Sequence, residues 1–311
     1  MTGKRSSRYS TRAISACKSF AVVGSGSIGL PVAAGLAAKN VSVILISRSS
    51  TKTPPSGVQL VQVDTSDAAA VTAVLKEHKV DVVISTIDVG TGEWDVVQKP
   101  IVDAAKAAAV KLYVPSEFGL PTDGHTEERL GGKAKFAGYV KSLGVPYLRI
   151  YNGAFIEFLP LFKGPNGKIR VIGKGDTPIS FTSIPDIAGE FAHVESPKNK
   201  LTHILSLTGF LVHILTTLPS SELENCTLRI EGDRATSNEI ALKLKTTVDH
   251  IDSVEGKGGE FITHILKLFE AGAGSTGWDE VNKREGSEGS ASGNVLWPGH
   301  NWSTIEEVHK L

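Results

Sequence analysis

The chain has 311 residues, 41% of them hydrophobic and 21% charged, which describes an ordinary folded chain with room for one large domain and a smaller lobe. Lys+Arg and Asp+Glu balance at 33 each, so the bulk positive field used by nucleic-acid or acidic-membrane binders is absent. Cys17 and Cys226 are the only cysteines and the nine histidines are scattered, which excludes a disulfide framework and any zinc-ligand spacing and suits a reducing, cytoplasmic compartment.

Residues 1–19 contain Lys4, Arg5, Arg8, Arg12 and Lys18 with several serines and no acid. They are read as a disordered basic tail. A mitochondrial transit peptide has the same composition, so import stays open beside a cytoplasmic location. The uncharged run 20–38 is nearly long enough to cross a bilayer, but it holds four glycines and a proline. It is expected to be a buried strand, a tight turn and an Ala-rich helix, with no membrane span.

Beyond the tail, short runs rich in β-branched residues (20–23, 41–46, 58–63, 81–86, 111–115 and 147–151) alternate with helical segments at 29–39, 68–78, 94–109 and 133–143. Apolar strands alternating with helices predict a parallel sheet covered on both faces, and right-handed crossovers make it doubly wound. The fold class expected is therefore α/β, a Rossmann doubly wound parallel sheet over 20–151, followed by a smaller C-terminal substrate-binding lobe over 152–311. In that second half strands are expected at 168–172, 179–182 and 228–231, with helices at 237–245 and 261–270. Thr236 with Glu239, and Ser303 with Glu306, read as capping boxes. The stretch 283–294 reads as a Gly/Ser-rich loop.

Gly24-Ser25-Gly26-Ser27-Ile28-Gly29 follows the first strand and opens the first helix. In this context the first glycine permits the turn, and the second lets backbone approach a diphosphate. The third lets the helix pack on the strand, leaving free N–H groups and the positive helix end toward the phosphates. The second strand ends in Ser47-Arg48-Ser49-Ser50, with Lys52 close by, where an NAD-binding chain places a carboxylate on the ribose. The guanidinium fork of Arg48 suits a 2′-phosphate and no carboxylate stands there to repel it, so NADP(H) is the expected cofactor. Asp64, ending the third strand, has two readings, an adenine contact or a turn cap.

The run Tyr113-Val114-Pro115-Ser116-Glu117-Phe118-Gly119, then Gly132-Lys133, Gly144-Val145-Pro146-Tyr147 and Asn152-Gly153-Ala154-Phe155, resembles the isoflavone reductase-like and NmrA-like families of atypical short-chain dehydrogenases, in particular fungal members. The resemblance implies that Lys133 is catalytic, assisting proton transfer or stabilising oxyanion charge while NADPH delivers hydride. The alternative is a helix-surface lysine like Lys135. The usual Tyr-x-x-x-Lys pair is absent, because the tyrosines are followed at that offset by Ala13, Glu117, Leu143, Tyr151 and Phe155. Ser85 and Thr86 end the fourth strand, beside the expected path of the nicotinamide ribose. Ser116, Glu117 and Phe118 follow the fifth and are expected at the crevice, although Ser116 also suits a turn cap and Glu117 an internal pair. Asn152, Gly153 and Phe155 are expected on the far wall of the substrate pocket, where packing explains Phe155 nearly as well.

One segment departs from the family pattern. After Ile184-Pro185-Asp186-Ile187-Ala188 the pattern runs into a single amphipathic helix, but here residues 190–209 intervene before Phe210-Leu211-Val212-His213-Ile214-Leu215 resumes it. The codons available for Gly189-Glu190-Phe191 and for Leu207-Thr208-Gly209 can spell the two ends of an intron, so the stretch is expected to be an insertion, by hypothesis a retained one. The function expected is an NADPH-dependent reductase of a small aromatic or quinone-like compound. The rival is an NmrA-like NADP(H)-binding redox sensor that acts on a protein partner without turnover.

Overall fold

Along the first strand, β1 (Ser19–Val23), Phe20 and Val22 pack into one apolar cluster while Ala21 and Val23 pack into another. Successive strand residues point to opposite faces, so this strand needs cover on both sides, the condition met by a parallel sheet between two helical layers. The computed structural model describes residues 17–49, 51, 53–87, 94–189 and 209–311. In it β1 is followed by α1 (Gly29–Ala37), β2 (Ser42–Ser47), β3 (Gln59–Gln62), α2 (Ala68–Glu77), β4 (Val82–Ser85), α3 (Trp94–Val97), α4 (Lys99–Ala107), β5 (Leu112–Val114), α5 (Glu128–Leu143) and β6 (Leu148–Tyr151). Five of these strands form one parallel sheet in the order β3-β2-β1-β4-β5. This is the Rossmann arrangement predicted. The chain reverses direction of travel across the sheet at β1, and the crevice opens beyond the carboxyl ends of β1 and β4.

Helix α1 covers one face through Val32, Ala33 and Leu36, together with Ile187 and Phe210 from later in the chain. Helices α2, α4 and α5 cover the other through Leu75, Ile101, Phe136 and Val140. Past β6 come β7 (Ala154–Phe155), β8 (Ile169–Val171), β9 (Ile179–Thr182), α6 (Ile184–Ala188), α7 (Phe210–Thr217), α8 (Ser220–Leu223), β10 (Cys226–Arg229), β11 (Asp233–Ala235), α9 (Ser237–Lys243), β12 (Val248–His250), α10 (Gly259–Ala271), β13 (Trp278–Asp279), β14 (Arg284–Glu285) and α11 (Ile305–His309). A bridge between Tyr113 and Tyr147 brings β6 beside β5, and β10 pairs in parallel with β6. The strand expected near 228–231 thus extends the side of the main sheet. The small sheets of β7, β9 and β11 and of β8 and β12, with α9, α10 and α11, close around a third apolar cluster that includes Ile169, Phe181, Leu266 and Phe269.

Several local expectations need correction. The single helix expected over 94–109 is two, α3 and α4, because Pro100 has no N–H to offer the carbonyl of Val96 and the buried Gln98 side chain is drawn inward. Helix α5 begins at Glu128, five residues before the expected 133, since Gly131 and Gly132 weaken the helical signal of its first turns. The last capping box uses Thr304 and Glu307, one residue later than expected. The Ser303 N–H is instead taken by the Asp186 carboxylate at 2.9 Å. The stretch 283–294 also contains β14, paired with β13. The box at Thr236 and Glu239 forms as predicted. The run 20–38 is β1, a turn and α1, and among the described residues no helix is long and apolar enough to cross a membrane. The tail expected over 1–19 is too long, since Cys17 is buried, the Lys18 N–H bonds Asp81 and Ser19 opens β1, and the readings for 1–16 lie outside the described residues.

Candidate functional site

The glycine turn is built by contact. Gly24 has φ +111°, a left-handed conformation open to glycine, and a Cβ on it would meet Thr86 Oγ1 at 2.8 Å. A Cβ on Gly29 would lie 2.0 Å from the Gly24 carbonyl oxygen, so α1 starts where only hydrogen fits. Thr86 ties the turn to β4 by donating its hydroxyl toward the carbonyls of Val23 and Gly24, both at 3.1 Å. A Cβ on Gly26, by contrast, would meet nothing within 4 Å. No side chain caps α1 at Ile28, but the Leu30 N–H goes to the Gly26 carbonyl at 3.2 Å and Pro31 has none, so an anion would be met by the amides ahead of them, in the turn itself.

From this turn a cleft of about 520 Å³ runs across the carboxyl ends of the strands. Gly24, Ser25, Gly26, Ser27 and Ile28 line it, with Ser47, Arg48 and Ser49 after β2, and Thr86, Ser116, Phe118, Lys133 and Phe155 farther along. The sequence thus identified both ends of one continuous space. It missed Thr65, Trp94, Arg129, Phe158, Ile184 and Phe261, which line the same cleft. Trp94, Arg129, Ile184 and Phe261 sit in helices, Phe158 lies between β7 and β8, and Thr65 is in the turn between β3 and α2; none belongs to a motif read as binding.

Lys133 reaches the cleft because of its neighbour. A Cβ on Gly132 would lie 2.7 Å from Trp94 Cδ1, so its absence lets the indole pack against α5. Trp94 is 3% exposed, and the Lys133 ammonium lies 5.1 Å from its ring centre, in cation–π range. Arg129 lies one turn earlier on α5 and stacks over the Phe261 ring at 4.3 Å.

Behind this wall is a polar layer that takes in Glu117, the internal pair of its two readings. Glu117 is 2% exposed and does not line the cleft, as Thr122 donates to its carboxylate at 3.2 Å. Burial pushes its pKa up, opposed by the fields of Lys133 and Arg149. Thr122 also bonds the Tyr151 hydroxyl at 3.0 Å, and Arg149 reaches Asp123 through two nitrogens at 2.8 and 2.7 Å. Burial likewise raises the Tyr151 and Tyr113 pKa values, so neither phenol ionises near neutrality. Ser85 is buried and donates to Gln98 at 2.8 Å, so its hydroxyl holds α4 to β4 and does not face the crevice.

Other expected residues have structural work. Asp64 accepts from the amide and hydroxyl of Ser66 at 3.0 and 2.7 Å, the turn cap of its two readings, and Thr65 takes the place on the cleft. Asn152 is fully buried and its amide donates to the Gly153 carbonyl at 3.2 Å. A Cβ on Gly153 would lie 2.2 Å from the Ser180 carbonyl oxygen. Gly153 therefore lets β7 lie against β9, Asn152 stays in the interior, and Phe155 alone of that run lines the cleft. Lys52 and Ser50 lie outside the described residues.

The chain is similar to known proteins in sequence and in fold. The family model described as NmrA-like family matches residues 18–207, more than half of the chain. Isoflavone reductase of Glycine max is 28% identical over 179 residues, which cover 49% of this chain and 55% of that protein. Oxidoreductase BOA1 of Botryotinia fuckeliana (strain B05.10) is 28% identical over 199 residues, covering 56% of this chain and 65% of that one. The chain thus spans between 55% and 65% of the length of these two relatives. Among solved structures, leucoanthocyanidin reductase of Vitis vinifera in binary complex with NADPH superposes with a TM-score of 0.66 at 19% identity, covering 93% of this chain and 97% of that one. Citrobacter sp. triphenylmethane reductase complexed with NADP(H) superposes with a TM-score of 0.63 at 17% identity, covering 94% and 99%. At such identities the two structures establish the shared Rossmann-like fold, and the match along the sequence establishes kinship: the chain belongs to the NmrA-like family.

Proposed function

We propose that this protein is an NADPH-dependent reductase of a small aromatic or quinone-like compound, with Lys133 as its polar catalytic group. The observation that carries the reading is the single cleft joining the glycine turn and Arg48 to Lys133 and an aromatic wall. The residues fit the cofactor. The open space at Gly26 and the uncapped start of α1 make a cradle for a diphosphate, and no carboxylate of a described residue lines the cleft. Gly24 to Ile28 would hold the diphosphate, and Arg48, flanked by Ser47 and Ser49, would take the 2′-phosphate. The two solved reductases named above, titled as complexes with NADPH and NADP(H), support this choice.

When bound, NADPH supplies a hydride and becomes NADP⁺. The chain supplies the rest. Lys133 presents an ammonium beside the reacting end, where its proton balances the negative charge that hydride addition leaves on a substrate oxygen. Trp94 fixes that ammonium from below, while the aromatic side chains opposite hold a planar ring and keep water out. Tyr113 and Tyr151 are buried with raised pKa values and do not line the cleft, so neither phenol competes with the lysine for this role.

The test is direct. The purified protein should consume NADPH against a panel of quinones and aromatic enones, and Lys133→Ala should abolish turnover while the calorimetric affinity for NADPH stays unchanged. Undiminished turnover in the variant removes Lys133 from the chemistry. Tight NADPH binding with no consumption across the panel favours the sensor known among NmrA-like relatives.

A further inference from the structure

We infer that Glu157 is a positioning residue for the acceptor: from behind the cleft it holds Phe155, Phe158 and Ile184 together as one wall. This rests on the reductase reading, in which that wall receives the acceptor, and it names the group that fixes the wall's shape.

Phe155 and Phe158 face the cleft together because they are one turn apart. Phe155 caps the short 3₁₀-helix Ile156–Phe162, and with three residues per turn the side chains at 155 and 158 lie one above the other. Their rings meet edge to face at 5.7 Å. Glu157 stands between them in the chain but on another side of the turn, and it does not line the cleft. Its carboxylate Oε1 instead accepts the N–H of Ile184 at 2.9 Å, from a segment 27 residues on. Ile184 lines the same cleft.

Ile184 opens α6, and the first amides of that helix have separate fates. The Asp186 N–H is capped by the Ser183 hydroxyl at 3.0 Å, and Pro185 has no N–H. That leaves the Ile184 N–H, which α6 does not serve and which Glu157 takes. The Asp186 carboxylate is engaged elsewhere, accepting from the Ser303 N–H and facing His300 Nε2, both at 2.9 Å. The tie from Glu157 therefore decides how the first residue of α6 stands against the two phenylalanines. Phe155 is paired with Thr182 across β7 and β9, two residues before Ile184, so the three side chains form one surface.

The same carboxyl does little else. Its Oε2 is buried with no hydrogen-bond partner among the described residues. Burial pushes its pKa up, opposed by the amides it bonds and by the field of His309, while the field of Asp186 adds to the rise. A buried carboxyl that uses one oxygen of two costs stability relative to an apolar side chain of similar size. Packing thus gives no reason for a polar group at 157, whereas holding Ile184 in register with the wall does. The effect is large enough to matter, since a displacement of about 1 Å in a substrate-positioning group costs up to about a hundredfold in rate.

The experiment compares Glu157→Leu, which keeps the volume and loses the acceptor oxygen, with Glu157→Gln, which keeps both. In turnover of menadione and chalcone, the Leu variant should show a KM for either acceptor raised about tenfold or more, with the KM for NADPH unchanged. The Gln variant should stay close to the wild type. Titration of menadione into the NADP⁺-saturated protein reads acceptor affinity without turnover, so a loss confined to the Leu variant upholds the inference even if no variant consumes NADPH and the reductase reading fails. Should the Leu chain not fold, Glu157→Asp, which keeps the charge and falls one methylene short of Ile184, is expected to show the same loss. Menadione that binds the wild type and the Leu or Asp variant alike, or binds none of them, overturns the inference. So does a matching loss of NADPH affinity, which would mean that the carboxyl supports the fold at large. A Gln variant as weak as the Leu variant also overturns it, because the oxygen offered to Ile184 would then not be what matters.

Discussion

The Lys133 ammonium lies 5.1 Å from the centre of the Trp94 ring, and the residue that permits this is neither of them but Gly132. The indole occupies the volume that a side chain at 132 would need. Gly132→Ala would place a methyl group 2.7 Å from Trp94 Cδ1 and force the ring away. The expected cost is about 1–3 kcal/mol of stability, read as a lower urea midpoint, with kcat reduced because the lysine loses its support. The stability penalty should shrink in a Trp94→Ala background, and a full penalty there would show that Gly132 matters for another reason.

Arg48 follows β2 and lines the cleft, at the end that the proposed function gives to adenosine. Arg48→Gln should weaken NADPH binding by about ten- to hundredfold, as expected for a charge-assisted contact to phosphate, and leave NADH binding nearly unchanged. Calorimetry with the two cofactors measures the ratio. Equal losses for both would mean that Arg48 supports the loop and does not select the phosphate.

Glu117 carries a pH dependence whose sign can be worked out. Its folded pKa is raised, chiefly by burial, above the value of about 4.3 expected in an unfolded chain. The folded state therefore holds the proton more tightly, and stability is lost as pH climbs from the unfolded value through the folded one. Glu117→Gln imitates the protonated form. It should match the wild type in urea unfolding near about pH 4 and exceed it above the window, the gap then levelling off. A variant less stable than the wild type at high pH would show that the carboxylate is ionised and needed by Lys133 or Arg149.

The insertion proposed for 190–209 predicts that the chain on either side of it meets, and Gly209 does lie against Gly189 and Ala188. A Cβ on Gly209 would lie 2.2 Å from the Gly189 nitrogen and 2.5 Å from the Ala188 carbonyl carbon. Removing 190–209 should let α6 run into α7 with no rearrangement of the sheet, and the shortened chain should bind NADPH as the full chain does. Relief of loop closure is worth at most roughly 2–3 kcal/mol, visible as a higher unfolding midpoint. A shortened chain that fails to fold would make the segment an integral part of this protein. Sequencing of spliced transcripts tests its origin, since transcripts that all retain these codons would end the intron hypothesis.

Much of the scaffold was legible in the residues because it depends on local rules. The β-branched runs and their spacing require a covered parallel sheet, and Gly24 to Gly29 require a close turn after the first strand, whatever surrounds them. Arg48 was legible for the same reason, as it follows a strand whose end faces the crevice. What the chain order could not express is which way a side chain faces once helices are docked. Glu117 sits within a motif beside the crevice yet turns inward to Thr122, and Ser85 turns to Gln98. Arg129, Phe158 and Phe261 come from separate segments and meet at one wall only because α10 closes over α5. Periodicity and turn chemistry act over a few residues and so are written in the sequence, whereas the composition of the cleft's far wall comes from long-range packing and exists only in the folded molecule.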